Sequence, residues 1–449
     1  MTIRRACLLL SLGILLGACG SSGGGDPEST PDLRAADAIP GEICCADVGV
    51  GDVVEELLPE DLPPADLPPE IPQAEVDPDP GCNGDFCAAG PEHAPDPAAW
   101  GPFPVGGLTT SVDLVDWQGN QRTLRVEIWY PTTDAYADGP FADIDLYADV
   151  PEEFKETLAP YAGEIPPIHV PVTRDTPLRR GDGPYPVVLF SHGAYGVRFQ
   201  SVFYTVPLAS HGYIVVSMDH TGNVLYDMFG PAGFSEDALV HSAMNRPLDA
   251  VATLDEILAR NETPGDVLEG MLRPEAIGMS GHSFGGYTSF HMGFSDPRIK
   301  AIVPQSPATG MLPIMGFDFA NFPIPVMVQA DALDGTLPPE REMRPAYEGV
   351  PPPKFWFFLK TAGHFTYSDI CQLDLLHIAE DLGIEGADNA LDDGCAEYNI
   401  PVAEAHPIIN QFAIGFFNYY LRGSTESLKY FDGAAAENYS EVLEYDYVM

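Results

Sequence analysis

The chain has 449 residues, 45% of them apolar and 20% charged, enough for one large folded domain with a sizeable core. Asp and Glu outnumber Lys and Arg by 67 to 21, giving a net charge of −46. So acidic a surface excludes nucleic acid as a partner and repels anionic lipid head groups.

Residues 1–18 pass from Arg4 and Arg5 into an apolar stretch over 6–16, the order of an export signal and too short to span a bilayer. Leu16-Gly17-Ala18-Cys19 resembles a bacterial lipoprotein cleavage site. That resemblance implies an acylated Cys19 as membrane anchor, and the lack of an acid at Gly20 and Ser21 implies the outer membrane. Residues 19–97 are dense in Pro, Asp and Glu, with repeats such as Leu62-Pro63-Pro64-Ala65-Asp66-Leu67-Pro68-Pro69. Such a segment cannot bury enough apolar surface to fold, so a disordered, semi-rigid tether is expected. Beyond Cys7 and Cys19, six cysteines remain for an oxidising compartment: Cys44, Cys45, Cys82, Cys87, Cys371 and Cys395. Proximity suggests Cys82 with Cys87 and Cys371 with Cys395, and leaves Cys44 and Cys45 open.

The folded part is expected over 98–449. Apolar runs at 124–130, 187–190 and 213–217 predict strands, and the periodicity of 239–258 predicts a helix. A strand ending near 279, a helix from 287, strands at 301–305, 325–330 and 355–359, and a core helix over 408–421 follow. Strand and helix alternate, which implies an α/β domain with a mostly parallel central sheet and helices on both faces.

Between the strand ending near 279 and the next helix lies Gly281-His282-Ser283-Phe284-Gly285, a G-x-S-x-G turn. In that context the turn pushes the Ser283 hydroxyl out of the sheet as a nucleophile, with the N–H of Phe284 facing any oxyanion formed there. A serine needs a general base, and the base needs an acid to fix its tautomer. His364 follows the 355–359 strand directly, on the loop where a base is needed, whereas His377 falls in a helix-like stretch and His406 just before the last helix. The acid is sought after the 325–330 strand, where Asp331 and Asp334 compete. Ser191-His192-Gly193-Ala194 follows the 187–190 strand, and Gly193 permits a turn that supplies the N–H of Ala194 as second oxyanion donor. His192 reads as a structural residue of that loop. Neither zinc spacing nor a phosphate-binding glycine loop occurs, so no metal and no cofactor is expected.

These residues together resemble serine esterases of the α/β-hydrolase superfamily close to plasma-type platelet-activating-factor acetylhydrolases, and more loosely dienelactone-hydrolase-like and polyester-degrading enzymes. The likeness rests on Phe190-Ser191-His192-Gly193, on the stretch from Ala209 to Val216 followed by Asp219-His220, and on 281–286. It implies an α/β-hydrolase fold and ester hydrolysis by a Ser, Asp, His set in that chain order. Asp334, four residues before Pro338, matches the D-x-x-x-P pattern expected in that fold. In the acetylhydrolases the acid follows the strand just after the nucleophile helix. Here that strand ends in Ser306, a departure that favours Asp334. The charge points to neutral or zwitterionic ester substrates. The competing class is a catalytically inactive binding or adhesion lipoprotein on the same fold, against which the Ser, Asp and His set argues.

Overall fold

The computed structural model describes residues 88–90, 93–229, 235–373, 376–382 and 392–449. The signal, Cys19, almost all of the tether and the Cys82 and Cys87 pair lie outside the described residues, as do Cys44 and Cys45. The last tether residues join the folded body: Ala89 is buried, and the carbonyls of His93 and Ala94 accept from Ser424 Oγ and Tyr430 Oη.

Twelve strands are described: β1 Val105–Val115, β2 Gln121–Pro131, β3 Ala142–Ile144, β4 Ile168–Val170, β5 Val172–Arg174, β6 Tyr185–Ser191, β7 Ile214–Met218, β8 Leu272–His282, β9 Ile299–Gln305, β10 Val326–Asp331, β11 Lys354–Leu359 and β12 Leu443–Val448. Ten form one sheet in the order β12-β11-β10-β9-β8-β6-β7-β2-β1-β5, and β3 pairs with β4. From β7 to β11 every pairing is parallel, and β2 and β12 run antiparallel to the strands they flank. A parallel sheet needs both faces covered, which is why its strands read as apolar runs rather than alternations.

The two faces are filled by alternate residues of the same strands. Val188, Phe190 and Val215 enter one core with Phe412 and Phe416, on the side of helices α1 (Val202–Ser210) and α5 (Val402–Arg422). Val187, Leu189 and Ile214 enter the other with Leu254 and Tyr287, under α2 (Glu236–Glu262), α3 (Phe284–Ser295) and α4 (Pro339–Gly349). Helix α2 starts on Ser235, whose side chain caps the Ala238 N–H, and α5 stops at Gly423, where a left-handed φ of 65° ends it. The layers bring the carboxyl ends of β6, β8, β9, β10 and β11 to one edge, where ligands bind in sheets of this type.

Candidate active site

Ser283 is the hinge between β8 and α3, and its φ of 56° with ψ of −115° is a strained conformation for a side chain larger than glycine. The strain is held in place by neighbours: its N–H donates to Gln305 O, and its carbonyl accepts from Gly286 N and Ala308 N. The turn needs its glycines, since a Cβ on Gly285 would sit 1.8 Å from the Ser191 carbonyl oxygen.

His364 opens a short 3-10 turn after β11 and is buried. Its Nδ1 lies 2.7 Å from Asp334 Oδ2. Burial alone would lower its pKa, but the charge and hydrogen bond of Asp334, with a smaller contribution from Asp393, raise it above the ordinary histidine value. With Nδ1 donating to Asp334, the other ring nitrogen is left as the proton acceptor.

Asp334 also accepts from Ser306 Oγ at 2.6 Å and from the Leu337 N–H. Asp331, the last residue of β10, contacts Ser306 Oγ at 2.9 Å through Oδ2, and its Oδ1 has no partner among the described residues. Burial, reinforced by the Asp334 charge, pushes the Asp331 pKa well above the carboxylate range, which favours its protonated form. Ser306 has one hydroxyl hydrogen for two carboxylates, so with Asp331 protonated one order satisfies all three contacts: Asp331 to Ser306, Ser306 to Asp334, and His364 to Asp334 from the other side. The structure therefore brings Asp334 to His364 and leaves Asp331 one serine further away.

Ala194 and Phe284 flank the elbow. Among the described residues neither N–H has an acceptor, and a Cβ on Gly193 would touch the Ser283 Cβ at 3.3 Å. Gln200 ties this loop to His364: its Oε1 accepts from Gly193 N at 2.9 Å, its Nε2 meets His282 Nδ1 at 2.7 Å, and His282 Nε2 lies 2.8 Å from the His364 carbonyl. His192 is buried with Nδ1 on the Gly193 carbonyl, a loop contact and not a place beside Ser283. His377 pairs with Glu164 at the surface, and His406 stacks on Phe203 with burial lowering its pKa to about 4.

The Cys371–Cys395 disulfide is present and spans 24 positions in sequence. It anchors Asp393, whose carboxylate joins two loops: Oδ1 accepts from His364 N at 2.9 Å, and Oδ2 accepts from Thr336 N at 2.8 Å, Thr336 Oγ1 at 2.7 Å and Gly335 N at 3.1 Å. Gln200, Ser306 as a hydrogen-bond relay, and Asp393 escaped the sequence reading. Only the closeness of Asp393 to Cys395 could have signalled any of them. Among the described residues no group of His, Cys, Asp and Glu could hold a metal ion, and no helix is long and apolar enough to cross a membrane.

A largely parallel sheet, helices on both faces and a strained serine between β8 and α3 define an α/β-hydrolase fold. Residues 89–225 match a family model described as platelet-activating factor acetylhydrolase, isoform II. Among curated proteins, the chain is 24% identical over 254 residues to a platelet-activating factor acetylhydrolase of Cavia porcellus, covering 48% of this chain and 56% of that one. It is 28% identical over 145 residues to a putative phospholipase A2 of Schizosaccharomyces pombe, covering 28% of this chain and 33% of the relative. The matched stretch thus spans about half of the first relative and a third of the second. A solved ferulic acid esterase from Streptomyces cinnamoneus superposes with a TM-score of 0.53 at 20% identity, over 77% of this chain and 97% of its own, which shows the shared fold. The chain is an α/β-hydrolase-fold protein related to platelet-activating-factor acetylhydrolase-like and phospholipase-like proteins.

Proposed function

We propose that this protein is a serine carboxylic-ester hydrolase that works through an acyl-enzyme, with Ser283, His364 and Asp334 as its triad. The carrying observation is the 2.7 Å contact between His364 Nδ1 and Asp334 Oδ2, buried at the sheet edge where the Ser283 elbow also lies. Ser283 Oγ attacks the ester carbonyl while His364 Nε2 takes its proton. The N–H groups of Ala194 and Phe284 stabilise the oxyanion, and the imidazolium returns its proton to the leaving alkoxide. Water repeats the sequence on the acyl-enzyme and releases the acid. Throughout, Asp334 holds the His364 tautomer and offsets the imidazolium charge.

The acidic chain favours neutral or zwitterionic esters, and the related acetylhydrolase and phospholipase names make lipid esters the first class to assay. Anchoring to a bacterial outer membrane through an acylated Cys19 belongs to the same proposal, supported by the Arg4-to-Cys19 pattern. A p-nitrophenyl ester series run on wild type and Ser283→Ala tests the reading. The variant should lose at least about 10^4-fold in kcat. Comparable turnover in both would overturn it.

A further inference from the structure

Behind the elbow lies a second Ser, His, Asp chain of contacts. Ser191 Oγ is 2.7 Å from His220 Nε2, and His220 Nδ1 is 2.8 Å from Asp249 Oδ2. These residues are 0, 1 and 0% exposed, so no substrate reaches them. Their place in the fold is under the Ser191-His192-Gly193 loop, and the residue that joins them to it is Arg246 of α2, itself fully buried.

Arg246 directs the hydrogen bonds of its two terminal nitrogens toward this loop and its neighbour Asn223. Nη1 donates to His192 O at 2.6 Å and to Ser191 Oγ at 3.2 Å, and Nη2 donates to Gly193 O at 2.9 Å and to Asn223 Oδ1 at 2.7 Å. Nε donates to Ser242 Oγ at 3.0 Å, which fixes the plane of the guanidinium from its own helix. Its face lies 4.6 Å from the Phe284 ring. One side chain thus touches both segments that carry the unpaired N–H groups beside Ser283.

The consequence follows from peptide geometry. Gly193 O and Ala194 N–H belong to one trans peptide unit, so they point in opposite directions. Whatever grips Gly193 O therefore aims Ala194 N–H the other way, and Arg246 and His192 Nδ1, at 2.6 Å, grip it together. A flip of this peptide would turn a carbonyl oxygen toward the nucleophile and a donor toward the core. It would also take one acceptor from the buried guanidinium and the acceptor of the buried His192 Nδ1, a costly arrangement.

Building on the esterase reading, we propose that Arg246 is the positioning residue of the oxyanion hole, locking the Gly193–Ala194 peptide with its N–H toward the reacting carbonyl and bracing Phe284 from behind. It touches neither substrate nor the reacting atoms. Its loss should therefore weaken transition-state binding and leave substrate binding nearly unchanged. A residue that merely supported the fold would lower the number of working sites without changing each one.

The test uses the full chain, with sites counted by fluorophosphonate titration so that kcat is expressed per competent site. Arg246→Met should lower kcat about 100-fold, the loss typical of one oxyanion donor, with KM within about threefold of wild type. Arg246→Lys, which keeps a charge but not the two-armed grip, should fall between. Affinity for a trifluoromethyl ketone, which forms the tetrahedral adduct on serine, should fall in parallel with kcat/KM across the series. His192→Ala removes the second grip on Gly193 O and should lose about tenfold in kcat on the same line, which keeps the test open if the arginine variants do not fold. Wild-type kcat per titrated site in Arg246→Met, or in His192→Ala where only that variant folds, would overturn the inference while leaving the esterase reading intact. A wild-type protein that takes no label and turns over no ester would overturn both.

Discussion

Replacing Asp334 by Asn separates the two neighbouring acids, because Asp334 bonds the His364 ring while Asp331 reaches only Ser306. In the wild type, Asp334 accepts on Oδ1 from Leu337 N and on Oδ2 from both His364 Nδ1 and Ser306 Oγ. An Asn there has one acceptor oxygen. If that oxygen keeps the Leu337 N–H, the amide NH2 faces His364 and forces the ring to accept at Nδ1. The proton then sits on Nε2, the nitrogen that has to receive the Ser283 proton. Wrong tautomer and lost counter-charge together should cost about 10^4-fold in kcat, or about 5.5 kcal/mol on the barrier. Asp331→Asn should behave differently. Burial favours its neutral form, and an Asn amide can donate to Ser306 as a carboxylic O–H would, so kcat should stay within about threefold. Both variants are assayed on one p-nitrophenyl ester at neutral pH, with KM measured alongside. A mild defect in Asp334→Asn beside a severe one in Asp331→Asn would refute the protonation order Asp331 to Ser306 to Asp334.

Three further outcomes follow. Because only neutral His364 can take a proton and its pKa is raised above the ordinary histidine value, kcat/KM should rise with pH through a midpoint above that value. The groups facing His364 are Asp334, Asp393, Ser306 and His282; Asp393→Ala removes a negative charge and the staple between the acid and base loops, so a pH–rate titration should show the midpoint moved down and the plateau lowered by about 10^2-fold. An unmoved midpoint would contradict the charge assignment. Gly285→Ala should yield little soluble protein by expression and thermal melting, since the new Cβ lies 1.8 Å from Ser191 O and both partners are core backbone; a stable variant would show the elbow to be looser than described. Cys19→Ala should leave the membrane fraction or remain as an uncleaved precursor on cell fractionation, and unchanged membrane retention would remove the acyl-anchor proposal.

The central sheet was legible because parallel strands buried on both faces are continuous apolar runs, as in Pro186-Val187-Val188-Leu189-Phe190. The edge strands were not: β12 is Leu-Glu-Tyr-Asp-Tyr-Val, with two of its six residues charged, and its pairing with β11 is decided by contacts far away in sequence. Helices α1 and α4 carry Pro207 and Pro345 and were missed because proline reads as a breaker where tertiary packing overrides it. Helix α5 was expected over 408–421 and begins six residues earlier, at Val402, because Pro407 falls within its first two turns. At the site, Ser283 and His364 were visible because each sits at a strand's end in a short recognisable context. The Asp331 and Asp334 choice stayed open because Asp331 ends β10 and Asp334 lies three residues further on, and only the direction of the side chains separates them. Arg246, Gln200 and Ser306 had no local signature, since each acts on groups tens of residues away, and Asp393 offered only its closeness to Cys395.

The most direct test of the esterase account is a covalent one. Wild-type protein treated with a fluorophosphonate should gain one adduct by intact mass, peptide mapping should place it on Ser283, and the adduct should form and ester turnover fall with a common rate constant. Ser283→Ala should take no label under the same conditions. An adduct on another residue, or ester turnover that survives complete labelling of Ser283, would contradict the claim that this serine is the nucleophile.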